Sequence, residues 1–441
     1  MEDNNNDNNV CVIGLGYVGL TLAGYMAKHG LLVEGIEINP QVHAALAEGR
    51  AHFHEFGFDE VVQEVTRNGS LTASYALQPR DFNRIYIITV GTNINDVGAV
   101  NLEPIRQVSA GIAEAMRDGD MILLRSTVKL GVTRDVVKPI LDQSGKRYDL
   151  AFCPERTLEG RALEELASLP QVVGGIDEHS AQRAKRLFER LTKEVVVVDS
   201  VEEAEMVKLV NNTDRDVMFA YANEVAMLCE VAGISSRNVI RAVNHNYPRS
   251  SVRFPGPVGG PCLGKDGYIL AEGFADKPVH ADIMITARRR NEELVNFTTR
   301  SVLEKAKARG LFARSTKVSV LGTAFKGRPE TSDLRGSMVY QLLDAVRLFD
   351  PGLDIRVFDP VARRDEMEAD GMVVEATLEA ALKDAAVVFI QTNHINFENL
   401  NWSKYSHMLC EQAIVYDYWD NQRLGVYANS VAVTSLGNSA L

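Results

Sequence analysis

The chain has 441 residues, enough for two or three domains with substantial cores, and no uncharged apolar run approaches the about 18 residues that a membrane span needs. Its net charge of -12 argues against nucleic acid as the main partner, so an anionic substrate has to meet locally clustered basic groups. Five scattered cysteines form neither a disulfide framework nor a metal-ligand spacing, which points to a reducing compartment, the cytoplasm.

Residues 1–9 are polar and acidic, without the basic and apolar regions of a signal peptide, and are expected to form a disordered tail. Val10-Cys11-Val12-Ile13 then reads as a buried parallel strand delivering Gly14, Gly16 and Gly19 at the dinucleotide-binding spacing. Gly14 permits the tight turn, Gly16 the approach of a pyrophosphate, and Gly19 close packing of helix on strand. Tyr17 and Val18 lie in the same turn. A helical stretch from Leu20 to Lys28 ends at His29-Gly30, and a second strand, Leu32 to Ile36, delivers Glu37. An acid there accepts from a ribose hydroxyl and repels a 2′-phosphate. The following Ile38-Asn39-Pro40-Gln41 carries no basic residue, so NAD is favoured over NADP.

Strand-like runs continue at Ile85–Val90, Met121–Ser126, Leu150–Phe152 and Val195–Val198, alternating with helical stretches as in a doubly wound parallel sheet. From Val201 to about Gly233 the apolar residues Met206, Leu209, Val210, Val217, Tyr221, Val225 and Leu228 recur at helical spacing. So long a helix without a breaker predicts a spine between domains or a dimer face. Phe254-Pro255-Gly256-Pro257-Val258-Gly259-Gly260-Pro261-Cys262-Leu263-Gly264-Lys265-Asp266 follows. Pro261 suits the first position of a helix, which sets Cys262 in a first turn whose N–H groups favour a thiolate, with Asp266 one turn on. The other reading of Cys262 is a buried cysteine in a tight turn. Cys11, Cys153, Cys229 and Cys410 read as core residues. A basic, polar segment from Arg288 to Arg314 leads to further alternating strands at Lys317–Gly322, Ile355–Asp359, Val387–Ile390 and Ile414–Asp417, a second and smaller α/β domain.

Two Rossmann-like α/β domains joined by a long central helix, an NAD fingerprint and a Gly-Gly-Pro-Cys turn together resemble the UDP-glucose/GDP-mannose dehydrogenase family, over Val10 to about Asn421. The resemblance implies an NAD-binding domain over residues 10–200. It also implies a central helical and dimerisation domain over 201–300 with the cysteine loop, and a nucleotide-sugar-binding domain over 301–441. It further implies oxidation of a C6 alcohol to a carboxylate with two NAD, serving polysaccharide precursor synthesis, by a homodimer or higher homo-oligomer. Ser126-Thr127-Val128 assigns Thr127 to the active site, and Pro154-Glu155-Arg156-Thr157-Leu158-Glu159 supplies Glu155 and Glu159. The spine motif supplies Lys208 and Asn212 at i and i+4, an oxyanion-binding pair. Cys262 takes the nucleophile position with Asp266 beside it. Thr92, Lys265 and Arg335 match cofactor contacts. Gly259, Lys326 and an arginine from the preceding loop, Arg249 or Arg253, match substrate contacts.

The pattern is broken at Asn93, where proline is usual, in the length of the turn before Cys262, and in the arginine missing from Tyr416–Asn421. Arg156, where UDP-glucose enzymes of the family usually carry phenylalanine, resembles the branch acting on UDP-N-acetylmannosamine or UDP-N-acetylglucosamine. UDP-glucose or GDP-mannose is the alternative substrate. A two-electron hydroxyacid or sugar-phosphate dehydrogenase with a structural Cys262, and a non-catalytic NAD sensor, are the alternatives of other classes.

Overall fold

The computed structural model describes residues 7–95, 98–313 and 315–438. Of the tail expected over residues 1–9, residues 1–6 lie outside the described ones. Asp7 ion-pairs with Arg183 and Asn9 already opens the first strand. Arg314, the end of the expected basic segment, also lies outside the described residues.

The chain divides into two compact units, one running up to Asn211 and including Tyr268–Ala281, the other made of Asn212–Gly267 and the chain from Asp282 onward. The first holds an eight-stranded sheet of β1 (Asn9–Ile13), β2 (Leu32–Ile36), β3 (Leu71–Ser74), β4 (Ile85–Ile88), β5 (Asp120–Leu124), β6 (Tyr148–Phe152), β7 (Gln171–Gly175) and β8 (Val195–Val198). Their spatial order is β3-β2-β1-β4-β5-β6-β7-β8, parallel except where β7 runs against β6. The central strands are largely apolar because helices cover both faces: β4 and β5 are buried at every residue, Asp120 at the start of β5 included. The order reverses between β1 and β4, and the crevice beyond the strand ends at such a switch point is where ligands bind in open α/β sheets. Helix α1 (Tyr17–Lys28) starts there.

The second unit holds β9 (Lys317–Leu321), β10 (Asp354–Phe358), β11 (Ala385–Ile390), β12 (Ile414–Asp417), β13 (Gly425–Val426) and β14 (Ala432–Ser435), in the order β10-β9-β11-β12-β14-β13, with β13 antiparallel to its neighbour. Three further helices matter for the site: α2 (Val201–Ala232), α3 (Gly260–Glu272) and α4 (Asp282–Ala308). The expected spine is α2, free of Gly and Pro along its length and stopped by Gly233 at φ +70°. The segment read as basic and polar is the 27-residue helix α4, which buries Leu294, Val295, Val302 and Leu303 along one face. Among the described residues no helix is long and apolar enough to cross a membrane.

Candidate active site

In the first unit the Gly-rich turn has the form that a dinucleotide needs. Gly14 sits at φ +91°, open to glycine and strained for other residues. A Cβ on Gly19 would collide with the Gly14 carbonyl oxygen and Thr89 Oγ1, so only glycine brings α1 this close to β1. Gly16 is the opposite case: nothing stands within 4 Å of where its Cβ would be. That open backbone at a helix N-terminus is the cradle a pyrophosphate fills, and the residues present fit NAD. Glu37 Oε2 accepts from Leu15 N at 2.8 Å, and Oε1 from Ile38 N and Asn39 N at 2.8 and 2.9 Å. Three backbone donors thus hold the carboxylate against the Gly-rich turn before any ribose arrives. Tyr17 turns its hydroxyl inward to Glu55, leaving its backbone, rather than its phenol, for a cofactor. Val18 is half-buried.

The loops after β4 and β5 meet through Thr92, whose Oγ1 donates to the Thr127 carbonyl at 2.6 Å. Glu205, at the start of α2, accepts from Gly131 N, Thr133 N and Thr133 Oγ1 at 2.6, 2.9 and 2.6 Å, fixing the far side of the Thr127 loop. Burial pushes the Glu205 carboxyl up, against these hydrogen bonds.

Glu155 lies in a buried ion pair. Arg125 donates to its Oε2 from Nε at 3.2 Å and Nη2 at 2.7 Å, while Arg156 N and Thr157 N donate to Oε1, both at 2.7 Å. Burial opposes its ionisation, but Arg125 and the Thr157 N–H outweigh this and hold the carboxyl below its usual range. Both oxygens are occupied, so Glu155 reaches a substrate water only by exchanging a partner. Glu159 is half-buried in the same turn. Arg156, expected to face the substrate, instead donates through Nη2 to the Pro170 carbonyl. Its guanidinium is committed to the protein at that nitrogen because the turn folds it back toward Pro170, which leads into β7.

On α2, Lys208 and Asn212 are both buried, each 8% exposed, one helical turn apart. In the second unit Asn212 Nδ2 donates to Asp266 Oδ2, and Asp266 is itself buried. Helix α3 opens at Gly260, one residue earlier than expected from Pro261, with Gly260 at φ +91°. Cys262 falls in its first turn and is exposed, which removes the reading of a buried structural thiol. The other cysteines differ: burial pushes the thiols of Cys11 and Cys153 up to about 12 and about 11. Cys229 is buried, and Cys410, expected in the core, is only partly so.

Glycines let the loop before Cys262 lie flat on the segments that follow β9 and β12. A Cβ at Gly256 would strike Trp419, at Gly259 the Gly336 carbonyl, and at Gly260 the Phe325 ring. Lys326 Nζ stands 5.3 Å from the Phe325 ring centroid, and Gly260 N donates to Gly336 O at 2.7 Å. Arg335 is exposed and forks onto Asp333 at 2.6–3.0 Å. Arg249 stacks on Tyr247, Arg253 is exposed, and Lys265 is half-buried in α3. Where Tyr416–Asn421 lacks its expected arginine, Arg237 from elsewhere in the unit pairs with Asp420.

Sequence reasoning missed Arg125, Glu55, Glu205 and four buried polar residues around the cysteine loop: Asp216, Asn223, Arg288 and Asn291. Glu55 Oε2 accepts from the Tyr17 hydroxyl and from Gly160 N at 2.7 Å, and Oε1 from Ala162 N at 2.9 Å, joining the nucleotide turn to the turn of Glu159. Its only local signal was an acid among aromatic and histidine residues in His52-Phe53-His54-Glu55-Phe56.

Three family models match in succession: the NAD binding domain of the UDP-glucose/GDP-mannose dehydrogenase family at residues 8–192, its central domain at 202–293 and its UDP binding domain at 319–421. The UDP-N-acetyl-D-mannosamine dehydrogenase of Campylobacter jejuni is 31% identical over 409 residues, covering 89% of this chain and 97% of its own. The solved UDP-D-ManNAc dehydrogenase of Pyrococcus horikoshii superposes with a TM-score of 0.87 at 28% identity, covering 98% of this chain and 100% of its own. The UDP-N-acetyl-mannosamine dehydrogenase of Staphylococcus aureus gives 0.84 at 28% identity, with 98% of each chain covered. With its Gly-rich turn, spine helix and exposed Cys262 falling inside these successive matches, the chain belongs to the UDP-glucose/GDP-mannose dehydrogenase family, the NAD-dependent nucleotide-sugar dehydrogenases.

Proposed function

We propose that this dehydrogenase oxidises the C6 alcohol of a UDP-N-acetylhexosamine, UDP-N-acetylmannosamine or UDP-N-acetylglucosamine, to the uronate in two oxidations. The observation that carries the chemistry is the exposed thiol of Cys262 in the first turn of α3, one turn from the buried Asp266–Asn212 pair. What supports the sugar is the run of relatives named for UDP-N-acetyl-D-mannosamine at 28–31% identity over most of the chain.

Bound NAD supplies the hydride acceptor for both oxidations. A water held by Asp266 or Thr127 takes the C6 hydroxyl proton while Lys208 and Asn212 donate to the developing alkoxide oxygen as the first hydride leaves C6 for NAD, as oxyanion-hole donors do. The Cys262 sulfur then bonds to the aldehyde carbon, the carbonyl electron pair moves to oxygen, and a proton arrives there to give a thiohemiacetal. Loss of the second hydride and of the hydroxyl proton leaves a thioester. Water, with its proton taken by a carboxylate of the Glu155–Glu159 turn, adds to the carbonyl, and the C–S bond breaks to return the thiol. Thr127 and Asp266 orient water during these steps. A free thiol is only a few per cent ionised at neutral pH, and lowering its pKa by about two units, worth about 2.7 kcal/mol, makes the thiolate dominant. The N–H groups of the α3 start favour that shift.

The working form is inferred to be a cytoplasmic homodimer. Supporting this, α2 and α4 carry Tyr221, Leu228, Val231 and Ile283, which are 62–77% exposed, and no cysteine forms a disulfide.

The deciding experiment compares turnover of UDP-N-acetylmannosamine, UDP-N-acetylglucosamine, UDP-glucose and GDP-mannose, counting NADH per sugar consumed. Two NADH with an N-acetylhexosamine is the expected result, and Cys262→Ala is expected to make no uronate while still binding NAD. A clear preference for UDP-glucose refutes the sugar assignment. One NADH per sugar refutes the thioester route.

A further inference from the structure

Four buried side chains form a closed hydrogen-bonded circuit around the loop that leads to Cys262, all within the second unit. Asn223 Nδ2 donates to the Gly256 carbonyl at 3.1 Å, and Gly256 N donates back to Asn223 Oδ1 at 2.9 Å. Asn223 Nδ2 also donates to Asn291 Oδ1 at 2.8 Å. Asn291 Nδ2 donates to Asp216, to the carbonyl at 2.9 Å and to Oδ1 at 2.7 Å. That same Oδ1 accepts from Arg288 Nη1 at 2.9 Å, and Arg288 Nη2 closes the circuit on the Val258 carbonyl at 2.8 Å. Asn223, Arg288 and Asn291 have no measurable exposure and Asp216 only 3%.

The circuit is costly, so it calls for an explanation. Four polar side chains, two of them charged, leave water at this point, and burial pushes the Asp216 carboxyl up against the pull of Arg288. Apolar residues at these positions would pack α2 on α4 without that penalty. They would not reach the carbonyls of Gly256 and Val258 or the N–H of Gly256. The loop has no strand or helix ladder of its own, and its opposite side is pressed on Trp419, Gly336 and Phe325. The circuit bonds the backbone groups it reaches, although Asp216 Oδ2 has no hydrogen-bond partner; such bonds rigidify what they hold, and here the bonded element ends four residues before Cys262.

We propose that Asp216, Asn223, Arg288 and Asn291 are positioning residues for the nucleophile: through the backbone of Gly256 and Val258 they fix the start of α3, and with it Cys262 Sγ, where it captures the aldehyde. The proposal rests on the covalent role of Cys262. A nucleophile needs its reacting atoms about 3–3.5 Å apart, and a displacement of about 1 Å costs on the order of 100-fold in rate. The first hydride transfer does not use the thiol, so it is spared.

The test is pre-steady-state NADH formation by full-length Asn223→Ala, with Asn223→Ser as the milder variant, beside wild type and Cys262→Ala. Both Asn223 variants are expected to give a burst of one NADH per site near the wild-type rate. A second phase slowed about 10- to 100-fold follows, with the sugar KM changed less than about threefold. Equal slowing of both phases, or wild-type traces from folded variants, overturns the positioning role. Cys262→Ala separates this from failure of the covalent role: if it stops after one NADH while the Asn223 variants behave as wild type, only the positioning inference falls. If it still forms uronate, the covalent role itself is wrong and the inference falls with it.

Discussion

Arg125→Met tests how the Glu155 turn is held. The guanidinium donates twice to Glu155 Oε2, once to Gln171 Oε1 at 3.1 Å and once to the Cys153 carbonyl at 3.2 Å, and its side chain has no exposure. Methionine keeps much of the volume and removes these four bonds and a fifth, to Cys153 Sγ at 3.1 Å, leaving Glu155 buried with the N–H groups of Arg156 and Thr157. Breaking a buried pair from one side costs about 3–5 kcal/mol, against which solvent screening is small here. For a unit of roughly 200 residues that corresponds to about 6–20 °C in Tm. The sign of the pH dependence follows from the direction of the shift. In wild type the folded carboxyl is held below its usual value, so the pair stabilises fully above the unfolded pKa of about 4.3 and is lost as pH falls through the folded pKa. Without Arg125, burial dominates and the folded pKa rises. The gap between wild type and variant is therefore expected to be widest near neutrality and to narrow below pH about 5. Denaturant melts at pH 7.5 and 4.5 measure it, and Glu155→Gln added to Arg125→Met is expected to recover at least about half of the loss. A cost under about 1 kcal/mol at pH 7.5, or a double variant no better than Arg125→Met alone, refutes the reasoning.

Glu37→Gln removes the anion that faces a 2′-phosphate and should narrow the preference for NAD over NADP by at least about tenfold in kcat/KM; equal use of both cofactors by the wild type would contradict the role given to Glu37. Glu55→Gln replaces one acceptor oxygen with an NH2 group that cannot accept, so either the bonds from Tyr17 and Gly160 or the bond from Ala162 are lost, and NAD affinity and kcat should fall together, each by about 5- to 30-fold in steady-state kinetics. Asp417 is buried, and burial pushes its carboxyl up to about 6 despite N–H bonds from Trp419 and Asn421. Because the folded pKa is raised, its contribution is full below the unfolded pKa of about 4 and is lost as pH rises through about 6, so wild type should gain up to about 3 kcal/mol on Asp417→Asn between pH 7.5 and pH 4. A difference that does not vary with pH in paired melts would rule this out.

The parts legible in the sequence are those whose signal is local. Gly14 and Gly19 announce their turn because backbone geometry and close packing admit nothing larger there, and Gly16 completes the spacing; α2 announces itself by apolar spacing unbroken until Gly233. Strand β3 buries only Leu71 of its four residues and β13 is two residues long, so neither offers an apolar run. Helix α4 was read only as a basic, polar segment because Arg288 and Asn291 stand where apolar residues mark a buried face. Their partner Asp216 is 72 and 75 residues away in the chain, so nothing nearby explains them. The bond from Arg156 to the Pro170 carbonyl was equally invisible, because its acceptor lies 14 residues on in the chain.

The residues that escaped notice share one physical task. Glu55 bonds the N–H groups of Gly160 and Ala162, Glu205 those of Gly131 and Thr133, Asn223 both polar groups of Gly256, and Arg288 the carbonyl of Val258. Of the side chains proposed to react, Cys262, Glu155 and Glu159 ride on loops or a helix start, and such a segment, when buried, has backbone groups without ladder partners. Something must bond them, and a carboxylate or amide from a distant element does so while also fixing where the turn lies. A catalytic thiol or carboxylate can therefore be read from its own neighbourhood, but its support cannot, because the support is chosen by which element happens to pack behind the turn. The same logic sets the expected character of variants at these positions. They lose stability and rate together, since one bond serves both, whereas variants at Cys262, exposed at the start of α3, lose rate alone.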